Sequence, residues 1–247
     1  MIKVKSLGKH KRVRNMLVVL AMFICTNICL GVSDIKVESV SQNNKKTIDQ
    51  LKKSAEQGDA KAQYNLGEIY REGKGVKQDY KEAFNWFKKS AEQGNAKAQY
   101  NLGLIYREGK GVEQDYKKAI NWYEKSAEQG NAPAQNNLGA MYREGKGVEQ
   151  DYKEAFNWFK KSAEQGFAPA QCNLGAMYRE GKGVEQDYKE AINWFKKPAE
   201  QGFTPAQYNL GVMYLNGEGG VKQNYKENYK EAFNWFIKAA KGILAPK

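Results

Sequence analysis

Apolar side chains in this chain recur at three- and four-residue steps, in short blocks separated by glycine-rich polar turns. From Ala60 to Glu72, Ala62, Leu66, Ile69 and Tyr70 fall on one side of a 3.6-residue helix. Asp59 is placed to cap its start. Gly73 and Gly75 end it, because glycine enters the left-handed conformation without a Cβ clash. A second block begins at Asp79, where Glu82 three residues on predicts a capping box. Ala83, Phe84, Trp86 and Phe87 supply its buried side, and Gly94 stops it. The two blocks predict a helical hairpin.

That hairpin is copied. Ala55-Glu-Gln-Gly58 returns at Ala91, Ala127, Ala163 and Ala199, 36 residues apart each time, and a period of this size predicts a stacked helical array. Neither helix buries its apolar face alone, so neighbouring units must pack against each other. Five full units follow a leading half repeat at residues 47–57, which matches the end of a second helix. The expectation is one all-α domain of about eleven helices over residues 47–241, with a short tail at 242–247.

Ala60-x-Ala62-Gln63, Leu66-Gly67, Tyr70, Gly73-x-Gly75-Val76, Asp79, Ala83 and Trp86, repeated five times, resemble the Sel-1-like repeat. The resemblance implies a right-handed α/α superhelical solenoid related to tetratricopeptide arrays. It also implies that the first helices line a concave surface, and that the protein serves as an adaptor or scaffold in protein complexes.

Charge adds a leader to this picture. The formal net charge is +12, but Lys3, Lys5, Lys9, Lys11, Arg12 and Arg14 precede any acid. The rest of the chain carries 34 basic residues against 28 acidic ones, too even a balance for a nucleic-acid groove. The basic flank, the apolar run Met16–Cys25 and the small residues Gly31 and Ser33 predict a signal peptide over 1–33. Residues 34–46 read as a polar tether, and the protein as exported, periplasmic or secreted; an uncleaved membrane anchor is the alternative. After leader removal no membrane insertion is expected. Cys25 and Cys29 lie in the leader, leaving Cys172 without an intramolecular disulfide partner.

Three departures from the repeat carry expectations. The fifth unit holds an extra glycine (Gly219-Gly220) and a duplicated Asn-Tyr-Lys-Glu from Asn224 to Glu231. Its second helix starts a turn early, or the excess forms a loop. Pro198 stands where Ser90, Ser126 and Ser162 stand in other units, predicting a kink or stop at Lys197. Phe167 and Phe203 replace a capping Asp or Asn, which forfeits a cap and predicts packing on the preceding unit.

Comparing units within the chain separates fixed positions from free ones. Ala62, Gln63, Leu66, Gly67 and Tyr70 never change, whereas the positions of Tyr64 and Glu68 vary from unit to unit. The varying stripe comprises Tyr64, Glu68, Tyr100, Leu104, Asn136, Tyr208 and Val212, with Cys172 at the same level. It is a candidate groove floor for a protein or peptide partner, since tyrosine joins apolar area to a polar tip. A merely solvated face is the competing reading. The unshielded carboxyl end offers a self-association face.

Catalysis finds little support. The sole histidine, His10, lies in the leader, so the repeats contain no imidazole for a triad, a zinc site or proton shuttling. Glu72-Gly-Lys-Gly75 lacks the spacing of a phosphate loop. No cofactor or metal is expected. The leading expectation is a non-catalytic exported scaffold; the alternatives are an envelope-associated enzyme acting on peptidoglycan or β-lactams, and a nucleic-acid-binding solenoid.

Overall fold

The computed structural model describes residues 46–220 and 225–244. The predicted leader and residues 34–45 of the tether lie outside the described residues. Eleven α-helices follow in order: α1 (46–56), α2 (Ala60–Glu72), α3 (Tyr80–Glu92), α4 (Ala96–Glu108), α5 (Tyr116–Glu128) and α6 (Ala132–Glu144). The series continues with α7 (Tyr152–Glu164), α8 (Ala168–Glu180), α9 (Tyr188–Glu200), α10 (Thr204–Asn216) and α11 (Tyr225–Leu244). From α2 to α11 each helix packs on its neighbours in sequence, giving five hairpins in a solenoid-like array. No helix among the described residues is long and apolar enough to cross a membrane.

Each hairpin closes on a glycine. Gly67 and its counterparts Gly103, Gly139, Gly175 and Gly211 face the rings of Phe87, Tyr123, Phe159, Phe195 and Phe236. A Cβ at Gly67 would lie 2.6 Å from two ring carbons of Phe87. The ring thus packs directly on helix backbone, and Phe87, Tyr123, Phe159 and Phe195 are wholly buried.

Between hairpins the joints are partly polar. Gln63 donates from Nε2 to the carbonyl of Ala55 at 3.0 Å, and Gln99, Gln135, Gln171 and Gln207 repeat this bond at 3.0–3.2 Å. An invariant amide therefore ties each first helix to the end of the preceding second helix. Aromatic rings cross the same joints: Phe84 meets Tyr106 edge-on at 5.6 Å, and Phe156 meets Tyr178 at 5.4 Å.

The caps follow the sequence with one difference. Asp59 Oδ1 accepts from the Ala62 N–H at 2.8 Å, and Gly73 (φ 71°) donates its N–H to the Ile69 carbonyl. Asp79 Oδ1 accepts from the N–H of Glu82 at 3.0 Å, but the return arm of a capping box is not made. The Asp79 N–H donates instead to the Tyr70 carbonyl at 2.9 Å, a bond repeated at Asp115, Asp151 and Asp187. That bond pins the start of the second helix to the end of the first.

Pro198 neither stops nor shortens its helix. α9 runs through it to Glu200, with the same 13 residues as α3, α5 and α7. The proline lies in the last turn, and the bond it forfeits is the one back to the Trp194 carbonyl. Its ring is fully buried, and its carbonyl still accepts from the Phe203 N–H at 2.9 Å. In the fifth unit the second helix does start a turn early: Tyr229 matches Tyr80, yet α11 begins at Tyr225. Phe167 and Phe203 make no side-chain cap bond and pack into the clusters around Phe159 and Phe195.

Candidate functional site

The varying stripe is less free than its variability suggests. Tyr64 and Tyr100 are half-buried, their rings 5.9 Å from Phe87 and 6.0 Å from Tyr123. Leu104 packs on the core around Tyr123, and Val212 is half-buried. Tyr208 alone of the stripe is well exposed, at 58%, beside Phe236. Burial raises the Tyr64 and Tyr100 hydroxyl pKa values, with the Glu68 carboxylate adding to the effect at Tyr64, so both stay neutral donors.

The structure brings the stripe together with a residue that the sequence reading passed over. Asn65, Asn101, Asn137, Asn173 and Asn209 are identical in all five units. Each asparagine from the second unit on reaches back to a stripe residue or the core phenol of the preceding unit. Asn101 Nδ2 donates to Glu68 Oε1 at 2.8 Å, Asn173 Nδ2 to Asn136 Oδ1 at 2.9 Å, and Asn209 Nδ2 lies 3.6 Å from Cys172 Sγ. Asn137 makes only long contacts, 3.4 Å to the Tyr123 hydroxyl and 3.4 Å from Asn136. The signal was available: a polar residue that never changes on an otherwise apolar helix side is not a packing residue.

Arginines at 36-residue spacing flank this row. Arg71 bonds Glu68 and Glu72, Arg107 bonds Glu108, and Arg143 NH1 donates to Asn173 Oδ1 at 3.0 Å. Arg179 forms a two-pronged pair with Glu218 at 2.7 and 2.9 Å. Asn65, Asn137, Asn173 and Asn209 are half-buried rather than sealed, so their amides retain lone pairs and N–H groups at the surface. Cys172 is no reactive thiol: burial pushes its pKa up to about 11, and the contact from Asn209 only partly opposes this. Among the described residues no group of three His, Cys, Asp or Glu side chains is placed to hold a metal ion.

A tandem of helical hairpins joined by polar ladders, with a row of amides on its first helices, defines a tetratricopeptide-like repeat scaffold. The Sel1 repeat matches residues 60–95, 96–131, 132–167, 168–203 and 204–242, and the chain belongs to that family. Among solved structures it is similar to a protective antigen of uropathogenic Escherichia coli displaying an SLR fold. That match has 44% identity and a TM-score of 0.73, and covers 78% of this chain and 40% of the antigen. It is also similar to a Sel1 repeat protein from Oxalobacter formigenes, with 36% identity and a TM-score of 0.70 over 75% of this chain and 72% of that one. The chain thus spans about two fifths of the E. coli antigen's length. No curated protein matches it.

Proposed function

We propose that this protein is a non-catalytic scaffold that holds an extended segment of a partner polypeptide along its first helices. The observation that carries this reading is the asparagine row Asn65, Asn101, Asn137, Asn173 and Asn209. A carboxamide offers a donor and an acceptor side by side, matching the N–H and C=O that an extended peptide presents along its length. Tyr64, Tyr100 and Tyr208 add apolar area beside the row, and Arg107 and Arg143 favour acidic side chains in the bound segment. The basic flank and apolar run of residues 1–33 support a place for this scaffold outside the cytoplasm.

The test uses peptides selected from a random displayed library, with affinity read by fluorescence anisotropy. The double variant Asn137→Ala, Asn173→Ala should bind the selected peptides about tenfold or more weakly, with unchanged helix content. Undiminished binding by that variant would remove the row from the mechanism.

A further inference from the structure

Trp86, Trp122, Trp158, Trp194 and Trp235 occupy one position in the second helices of the five units. Four of them carry a lysine ammonium over the ring. Lys89, Lys125, Lys161 and Lys238 place Nζ 4.2, 4.4, 4.1 and 4.1 Å from the centroids of Trp86, Trp122, Trp158 and Trp235. A cation over indole is what this environment selects, because the ring face is electron-rich. The fourth unit also has its lysine, Lys197, three residues after Trp194. Yet among the described residues Trp194 is the tryptophan without that cap.

Two further bonds are missing beside it. In the first three units Ser90, Ser126 and Ser162 donate from Oγ to the carbonyls of Ala60, Ala96 and Ala132 at 2.6–2.7 Å. Pro198 has no hydroxyl to do so. In the same units Gln93, Gln129 and Gln165 donate at 2.7 Å to Oε1 of Gln63, Gln99 and Gln135. The corresponding acceptor in the fourth unit, Gln171 Oε1, is buried without a partner, and Gln171 is only 3% exposed.

Two of the residues so affected, Trp194 and Gln171, line a hollow of about 460 Å³ beside the end of α7 and the flank of α9. It is lined by Glu164, Gln171, Glu190, Asn193, Trp194 and Lys197. Its chemistry is one-sided. Gln171 Oε1, though unpaired, is itself sealed from solvent, but neither Glu164 nor Glu190 is in an ion pair among the described residues. Lys197 is the one cation in the lining and carries no ion pair there either. A flat π surface with acceptors spread around it matches a planar group whose donors fan outward, and guanidinium is that group.

We propose that this hollow binds a guanidinium group, the arginine side chain of a polypeptide, stacked on Trp194 and hydrogen-bonded to Glu190. Arginine here takes the place that lysine takes in the other four units. Lys197, which lies off the ring in this structure, is the intramolecular competitor for it. This site is separate from the asparagine row, and its failure would leave the reading of that row intact.

The test labels the indole nitrogens of the full chain with ¹⁵N and assigns the Trp194 signal with Trp194→Phe. N-acetyl-arginine amide should shift the Trp194 signal saturably while the other four stay in place, which also shows that the fold is intact. Glu190→Gln should weaken this response about tenfold, and Lys197→Ala should strengthen it. The proposal is overturned by any of three results: no saturable shift, an equal shift with the uncharged citrulline or the lysine counterpart, or an undiminished response in Glu190→Gln.

Discussion

Replacing Gly139 by alanine sets two physical effects against each other, and the sign of the result decides between them. Gly139 lies inside α6, where alanine is favoured over glycine by about 1 kcal/mol from backbone entropy alone. Against this, the added Cβ would sit 2.9 Å from Cδ1 and Cε1 of Phe159 and 3.1 Å from the Ala155 carbonyl oxygen. Carbon atoms rest comfortably at about 3.5–4.0 Å. The ring has no room to retreat, since Phe159 is 0% exposed and Arg143 lies over it, its guanidinium 5.5 Å from the centroid. The carbonyl belongs to helix backbone and moves only with α7. Overpacking of this kind costs about 1–3 kcal/mol, so the net expectation is a loss of about 1 kcal/mol, or 2–4 °C in melting temperature for a chain of this size. Urea unfolding followed by far-ultraviolet circular dichroism measures it. Gly139→Ala combined with Phe159→Leu should be less destabilised than the sum of the two single variants, because the smaller side chain clears the Cβ. A Gly139→Ala protein that gains about 1 kcal/mol would show that helix propensity governs the position and that the close approach of ring to backbone is not what requires glycine.

Pro198→Ser should raise stability by about 1–2 kcal/mol in the same assay, by restoring a backbone N–H in α9 and a hydroxyl bond to the Ala168 carbonyl; no gain would refute the role given to the three serines. Burial raises the Glu218 carboxyl pKa, but hydrogen bonds from Arg179 and Asn216 outweigh it and leave the folded value below the ordinary one. The folded pKa being depressed, the pair's contribution is present above the unfolded value of about 4.3 and is lost as pH falls through the folded value. Acid titration of stability should therefore be flatter below about pH 4.5 in Glu218→Gln than in the parent, and parallel curves would refute it. With its pKa at about 11, the Cys172 thiol should react with iodoacetamide at pH 8 at least about a hundredfold more slowly in the folded protein than in urea.

The features that the sequence made legible are those whose cause is local. Gly73 ends α2 and Asp79 opens α3 because a left-handed residue and a side-chain acceptor act within a turn of where they stand. The early start of α11 was open to the same reasoning. What escaped it depends on partners across the hairpin. Glu82 completes no capping box because the Asp79 N–H is taken by Tyr70, nine residues back. Pro198 was assigned a kink or stop on the cost of an interior proline, but α9 continues through it to Glu200 with the proline ring sealed in the core. Tyr64 and Tyr100 vary between units, and variation alone could not reveal that Phe87 and Tyr123 lie against them.

A repeat copied five times also makes its exceptions interpretable, and here they gather toward the carboxyl end. In the first three units the serine–carbonyl bond and the glutamine–glutamine bond close every hairpin. The fourth unit replaces serine with Pro198, and the fifth has Ala239 at that place and Gly242 where the donor glutamine would be. Gln171 and Gln207 are correspondingly the two glutamines whose Oε1 is buried and unpaired. The same two units begin their first helices with Phe167 and Phe203 or follow directly on them, so lost polar closure is accompanied by added aromatic packing at the turns. Stability in a linear array is a sum of unit and interface terms. A unit can therefore surrender polar bonds without unfolding its neighbours, provided its apolar interfaces remain, and Phe195, Leu210 and Met213 are as deeply buried as their counterparts in earlier units. This separation leaves the polar positions of the last two hairpins free to diverge while the apolar seam keeps the array intact.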